Sequence, residues 1–257
     1  MTDADAIRRA AAEWVWLPRD SDHVVDGMVA VRYPARFGGG VRVSAFDREG
    51  TPDEAVDAAL DRARDWGERR TTFWVGASDR PAGLADALLR RGAVHEDTVT
   101  VFALALDEAT PGESPGVTVE TVRTREQLRD VDAVNVPVWE QAPLDEAGLD
   151  AELRELEADW SAGRGFRVLA RIDGRPVSTG GATIVGEFAR LWGAATLASD
   201  RGRGAYRAVL AERLRLARAF GASTALVKGR VSTSAPILAR AGFRTYGEER
   251  AYRLDVD

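Results

Sequence analysis

The sequence contains no cysteine, two histidines (His23 and His95) and one lysine (Lys228). Without cysteine there is no disulfide, no thiolate metal site and no cysteine nucleophile. Two histidines give little support to a multi-histidine metal cage or a Ser-His-Asp site, so no metal is expected. Long apolar runs are also missing: none approaches the roughly 18–20 residues that span a bilayer. The first twenty residues, MTDADAIRRAAAEWVWLPRD, place acids early and have no apolar core before a cleavage site, so no signal peptide and a cytoplasmic location are expected. A basic excess is absent as well. Residues 1–110 hold 14 Arg against 20 Asp plus Glu, and the remainder holds 21 basic and 21 acidic residues. Backbone-driven nucleic-acid binding needs a basic surface, so nucleic acid is not an expected partner.

What is present is an ordinary globular composition, 45% apolar and 30% charged over 257 residues, enough for one large domain or two modest ones. The stretch DEATPGESPG (107–116) lies between strand-like TVTVFALAL and GVTVETV. Its Pro, Gly and Ser content reads as a linker. This gives a domain over 1–108, a linker over 109–116 and a domain over 117–257. Strands alternate with helices on both sides, the pattern of a mixed α/β class. In the first half, DGMVAVRY, VRVSAF and TTFWVGA read as strands. TPDEAVDAALDRARDWG reads as a helix with Thr51 as N-cap and Pro52 at its first position, and RPAGLADALLRRGA as a second. In the second half TREQLRDVDAVNV is an early helix, and FRVLARIDGRPVSTGGATIV is a hairpin turning at Asp173-Gly174. FARLWGAATLA, STALVKG and ERAYRLDV are strands, and SAPILARAGF is a short helix.

The halves repeat one another. ARDWG (63–67) matches ARAFG (217–221), and LLRRGA (88–93) matches LARAGF (238–243) in the same order. Counting back 17 residues from Gly67 reaches Gly50, and from Gly221 reaches Gly204. The shared unit is helix–strand–helix–strand. At its head the second copy reads Arg201-Gly202-Arg203-Gly204 where the first reads Asp47-Arg48-Glu49-Gly50. Two acids repel a pyrophosphate by the Coulomb force with which two arginines attract it, so only the second copy is equipped for phosphate.

A helix N-terminus presents amide N–H groups without intrahelical partners and a partial positive charge. Glycines let that backbone approach an anion closely, and arginines add charge-assisted donors. The RGRG run thus suits a phosphate cradle, although a polar turn uses the same residues. It is neither a Walker A loop nor G-x-G-x-x-G. Behind it Tyr206, Leu210, Leu214, Ala217 and Phe220 recur at helical spacing and form a face that can pack on a sheet.

The order strand, R-G-x-G, helix, strand and a short helix ending RAGF resembles the GCN5-related N-acetyltransferase family over about residues 117–256. The repeat then makes residues 1–108 a degenerate copy. The resemblance implies two acetyltransferase-like domains in tandem, with acetyl-CoA as co-substrate of the second. It implies that Arg201, Gly202, Arg203, Gly204, Ala205 and Tyr206 hold the pyrophosphate, with Tyr206 where the family has Gly or Ala. It implies further that Thr196, Leu197 and Ala198 pair with the pantetheine arm through their backbone, and that amides near Ala198 polarise the thioester. Family members often carry a thiolate-protonating tyrosine four residues before the Gly-Phe; here that position is Leu238.

Candidates for the chemistry are therefore substitutes. Ser232, Thr233, Ser234 or Tyr246 could protonate the thiolate, with Ser234 and Tyr246 as the assigned pair, and Glu187 is the nearest candidate base. Asp200 reads as a turn residue or cap and His95 as structural. The seven tryptophans read mainly as packing, with Trp139 in the substrate wall and Trp192 where some relatives place an acid. The expected function is direct N-acetylation of a small-molecule amine or a peptide N-terminus, by a monomer or weak homodimer that engages no membrane. The rival expectation is a non-catalytic tandem protein that binds acyl-CoA or a partner.

Overall fold

A computed structural model describes residues 3–109 and 114–255, so residues 110–113 of the expected linker lie outside the described residues. The first half runs α1 (Ala4–Ala12), β1 (Asp22–Val25), β2 (Val29–Arg32), β3 (Val41–Ser44), α2 (Pro52–Asp65), β4 (Arg70–Gly76), α3 (Leu84–Arg90) and β5 (Val94–Ala105). The second half begins with β6 (Val117–Thr121), α4 (Arg125–Trp139), α5 (Glu146–Ser161), β7 (Gly165–Ile172), β8 (Arg175–Val185) and β9 (Phe188–Thr196). It ends with α6 (Ala205–Ala219), β10 (Thr224–Arg230), α7 (Ala235–Arg240) and β11 (Arg244–Asp255). The helix–strand–helix–strand repeat inferred from sequence is therefore α2-β4-α3-β5 against α6-β10-α7-β11, preceded by β3 and β9.

Two compact units result, and they exchange segments relative to the linear halves 1–108 and 117–257. The first unit comprises Asp3–Phe102 together with Lys228–Arg240 and the chain from Thr245. Its sheet order is β1-β2-β3-β4-β11, with β3 and β4 parallel and β11 antiparallel to β4 from Glu249↔Gly76 to Asp255↔Arg70. Helix α2 lays Val56, Ala59 and Ala63 on this sheet, α3 adds Leu84 and Leu88, and Phe46 stacks on Phe73 at 6.4 Å. Fully burying a side chain such as Leu88 stabilises by roughly 1.5–3 kcal/mol.

The second unit centres on Ala103–Val227. Its strands run β6-β7-β8-β9-β10, antiparallel except for the parallel β9–β10 pair. Asp173 and Gly174 turn the β7–β8 hairpin with φ of 52° and 76°, as the Asp-Gly pair requires. Helices α4 and α5 cover one face through Leu128, Val131, Leu149 and Leu156, packed on Leu169 and Ala195. Helix α6 lies against β6, β7, β8 and β9. Consecutive glycines in β8 serve opposite faces, because strand side chains alternate. A Cβ on Gly180 would stand 3.2 Å from the Arg213 guanidinium of α6, and one on Gly181 would stand 2.3 Å from the Trp192 indole.

Two predictions follow from this packing. Gly181→Ala drives a methyl into the Trp192 ring and should lower stability by about 2 kcal/mol or more, read by urea unfolding. The second concerns Asp79, which accepts a hydrogen bond from the Gly76 amide at 2.8 Å. Burial raises its carboxyl from 3.8 to about 6, and nearby Glu249 adds to the rise, against Lys228. A carboxyl raised in the folded state binds its proton more tightly there. Its contribution is therefore most favourable below about pH 4 and is lost as pH climbs through 6. Asp79→Asn keeps an oxygen for the Gly76 amide and removes the charge. It should stabilise above pH 6 by up to about 3 kcal/mol and be near neutral at pH 4, checked by unfolding across that range.

Candidate functional site

The strand pair β9–β10 sets the site. They pair at Phe188↔Thr224, Ala189↔Ala225 and Arg190↔Leu226 and then diverge, while β9 stays paired with β8 through Thr196. From Leu191 onward, the β9 edge turned from β8 meets no further strand among the described residues. The register between β8 and β9 shifts between Thr179↔Ala195 and Gly181↔Trp192. Two steps along β8 thus answer three along β9, a bulge at Gly193-Ala194, with Gly193 at φ 60°. A bulge re-aims the local peptide groups, here beside the open edge.

Beyond Thr196 the chain makes a single 3-10 turn (Ala198–Asp200) and enters RGRG. Gly202 and Gly204 take φ of 77° and 87°, and Gly204 starts α6 with no side-chain cap. The residue that opens α6 thus offers its first amides no capping oxygen. Nothing lies within 4 Å of where a Gly202 Cβ would be. Around Gly204 the nearest groups are the Arg207 guanidinium and the Ser114 hydroxyl, each 3.4 Å from the Cβ position. The Ser114 Oγ is buried and has no partner. Asp200 anchors the loop from beneath. It is 1% exposed and accepts from Arg175 at 2.7 Å, Ser199 at 2.7 Å and Arg203 at 2.8 Å. The Arg175 hydrogen bonds, then Ser199, hold its carboxyl down at about 2. Asp200 is thus a buried counter-ion for two arginines. Arg201 and Arg203 are exposed, and Arg207 lies over the helix start.

The matching place in the first unit is filled by the chain itself. Thr51 and Glu54 form a complete capping box: Glu54 Oε2 accepts from the Thr51 amide at 2.7 Å, and Thr51 Oγ1 accepts from the Glu54 amide at 3.2 Å. The same carboxylate oxygen is 2.7 Å from where a Gly50 Cβ would be. An internal carboxylate thus occupies the α2 N-terminus. The gap between β3 and β4 is closed by a backbone clip. The Arg80 amide donates to Phe46 O at 2.9 Å, the Arg48 amide donates to Arg80 O at 3.3 Å, and Arg80 Nε pairs with Asp47 at 2.8 Å.

The sequence-derived residues separate into two groups. Thr196, Leu197, Ala198, Arg201, Gly202, Arg203, Gly204, Ala205 and Tyr206 form one continuous segment of the second unit, although the Leu197 amide already donates to Val177 O. Glu187 lies at the start of β9, before the paired stretch, and its carboxylate accepts from Ser223 at 3.0 Å. Ser234 and Tyr246 belong to the first unit, where the Tyr246 carbonyl accepts from Arg8 and the Ser234 carbonyl from Leu238. Leu238 is fully buried and packs on Gly229, where a Cβ would stand 2.7 Å away. His95 is exposed, 2.9 Å from Thr98 Oγ1. Trp192 lies flat over Gly181, donates to Thr183 at 2.9 Å and carries Arg167 on its ring at 4.8 Å. Trp139 ends α4, 41% exposed.

Sequence reasoning did not single out Arg175, Ser114, Arg207 or Arg213. Arg213 is 1% exposed, and its Nη1 donates at 3.4 Å to both Gly181 O and Trp192 O, while Nε and Nη2 have no partner. Burial lowers its pKa, against a smaller opposing effect of Tyr206. Tyr206 therefore interacts with the helix interior two turns on, which accounts for a large residue where the family pattern has Gly or Ala. The Gly180-Gly181 pair is the signal that a bulky group crowds both faces of β8.

Among the described residues no group of three or more His, Cys, Asp or Glu converges to hold a metal, and no helix is long and apolar enough to cross a membrane. No family model and no curated protein matches the sequence. Solved structures do. A GCN5-related N-acetyltransferase from Kribbella flavida superposes with a TM-score of 0.68 at 21% identity, covering 98% of this chain and 95% of that one. One from Sphaerobacter thermophilus gives 0.67 at 17%, covering 99% and 86%. A tandem GNAT protein from the clavulanic acid biosynthesis pathway gives 0.66 at 15%, covering 94% and 85%. With its diverging strand pair, bulged strand and glycine-led helix, the chain has the mixed α/β fold of the GCN5-related N-acetyltransferases, in the tandem form.

Proposed function

We propose that the chain is an acetyl-CoA-dependent N-acetyltransferase. Its working half is 117–257, and it transfers acetyl directly to the amine of a small molecule or a peptide N-terminus. Residues 1–108 are a copy that has lost its ligand. One observation carries this reading: an unpaired strand edge leads into an uncapped, arginine-flanked helix N-terminus in one half, while the corresponding features of the other half are satisfied by Glu54 and Arg80.

In this reading the pantetheine amides pair with the free edge of β9 through Thr196, Leu197 and Ala198, by main-chain strand addition. The pyrophosphate rests on the amides of Gly202 to Tyr206, and Arg201, Arg203, Arg207 and the Ser114 hydroxyl supply further donors. In this reading the carbonyl-polarising amide, expected near Ala198, is that of Gly193 in the bulge. The neutral amine attacks the thioester carbon and negative charge develops on its oxygen, which the Gly193 N–H stabilises. Collapse re-forms the carbonyl and breaks the C–S bond. The ammonium loses its proton to water, and coenzyme A leaves as the thiolate, which takes a proton from solvent. Glu187 is set aside as base because it precedes the paired end of β9, several residues from the bulge. The protein acts in the cytoplasm as a monomer or weak homodimer.

Leu238 favours a second reading. A buried leucine packed on Gly229 holds no proton, which suits a tandem protein that binds acyl-CoA without turning it over.

Calorimetric titration with acetyl-CoA tests the site. One site per chain is expected, weakened at least about tenfold by Arg203→Glu, which puts a negative charge beside both the phosphates and Asp200. Glu54→Gln should leave that single site unchanged. Two sites in the wild type would mean the first copy is functional; no binding would leave the RGRG run a polar turn. Single-turnover assays with an amine panel then separate catalysis from binding.

A further inference from the structure

The least explained group in the second unit is the Arg213 guanidinium. It is a fully buried cation for which no carboxylate partner is found among the described residues, and two of its three nitrogens donate to nothing. Such a cation costs several kcal/mol of desolvation. Yet β8 makes room for it: a side chain at Gly180 would press on its Cζ and Nη1, both at 3.2 Å. Its two acceptors are the carbonyls of Gly181 and Trp192, each at 3.4 Å.

The Trp192 carbonyl matters because of the peptide to which it belongs. Gly181 and Trp192 face each other across the β8–β9 ladder, and their carbonyls converge on one Arg213 nitrogen. In a planar trans peptide the N–H points opposite to the C=O. The Trp192 carbonyl faces Arg213, so the Gly193 N–H of the same peptide points away from that guanidinium, in the stretch of β9 that β10 leaves after Arg190. A cation on the oxygen of an amide draws electron density from its nitrogen and makes the N–H a stronger donor. Low dielectric strengthens this coupling.

We propose that Arg213 is a positioning residue for acyl transfer. Held under the bulge by Gly180, it orients and polarises the 192–193 peptide, so that the Gly193 N–H is a preorganised donor to the thioester oxygen. This rests on the acetyl-CoA reading of the open edge. Arg213 itself touches no substrate and acts through one peptide group. The absence of a carboxylate is part of the device, since a neutralising partner would cancel the field at the peptide. Tyr206, beside Arg213 and at the head of α6, links this cation to the helix whose N-terminus faces the phosphates.

The test is isotope-edited infrared spectroscopy of acetyl-CoA carrying ¹³C at the thioester carbonyl, bound to the full chain, with Arg213→Met and Arg213→Lys beside the wild type. In the wild type the band should lie below its position in free acetyl-CoA. In Arg213→Met it should return toward the free value, with acetyl-CoA affinity within about twofold and single-turnover transfer of acetyl to water slowed about tenfold, a fraction of what losing an oxyanion donor outright costs. Arg213→Lys should restore part of the shift. Because Arg213→Met removes an unpaired buried cation, its melting temperature should rise. Wild-type binding with the same band position in both proteins would overturn the role of Arg213 and leave the cofactor site standing. A merely structural arginine would show a lower melting temperature and an unmoved band, which also overturns it. No acetyl-CoA binding by the wild type would overturn the site and this inference together. Should Arg213→Met not fold, Arg213→Gln is read in the same way.

Discussion

Parallel pairing between β9 and β10 that lasts only three residues is the constraint on which the rest of the second unit depends. A strand in the middle of a sheet must satisfy amides on both edges. Once β10 departs after Leu226, β9 keeps β8 on one side and, among the described residues, has no strand on the other. Everything downstream follows the free edge: the bulge at Gly193-Ala194, the 3-10 turn, the glycines at positive φ and the start of α6. A helix that begins beside an unpaired strand edge sums two sets of unmet donors over one short stretch of chain. Asp200, buried under Arg175 and Arg203, holds that stretch in shape without capping the helix.

The first unit faces the same problem and solves it internally. Its parallel strands β3 and β4 also pair over three residues, Val41↔Thr71 to Val43↔Phe73. The segment that follows β4 turns back so that Arg80 meets Phe46 and Arg48 through its backbone and Asp47 through its side chain. Glu54 supplies the anion at the α2 N-terminus. An intramolecular carboxylate needs no binding from solution and loses little entropy when it docks. The contrast is chemical, between a helix end met by its own glutamate and one met by glycine, arginine and a serine hydroxyl.

Much of this was legible in the sequence because it is local. The Thr51-Pro52 helix start, the Asp173-Gly174 hairpin, the helix–strand–helix–strand repeat and the glycine-led start of α6 all follow from short-range chemistry. Other features were not. Helix α5 was not among the expected elements: Gly148 interrupts its pattern and Pro143 precedes it, but Asp145 caps its 16 residues and Leu149 and Leu156 hold it. The partnership of β11 with β4 joins residues about 180 apart in sequence, and no local pattern encodes it. The face of α6 was only partly drawn. Leu210, Leu214 and Ala217 of the expected stripe are buried, and the buried set extends beyond it to Val209, Arg213 and Leu216. An arginine at a core position is invisible to hydrophobic periodicity.

That arginine and the glycine pair opposite it have to be understood together. On stability alone, a strand would place small apolar residues at 180 and 181 and a leucine at 213, which would bury more apolar surface and strand no donors. Two consecutive glycines instead remove side chains from both faces of β8 and weaken the strand. The space goes to a cation on one face and an indole on the other, and both belong to the few residues around the bulge. Trp192 lies flat over Gly181 and is held by Thr183 and Arg167. Its carbonyl is held from the opposite face by Arg213. Residue 192 is thereby clamped by side chain and backbone at once, immediately before Gly193 of the bulge. A bulge is ordinarily the loosest point of a ladder. Here the local sacrifice of packing makes it a tightly specified one, and rigidity at that position is what a preorganised hydrogen-bond donor requires.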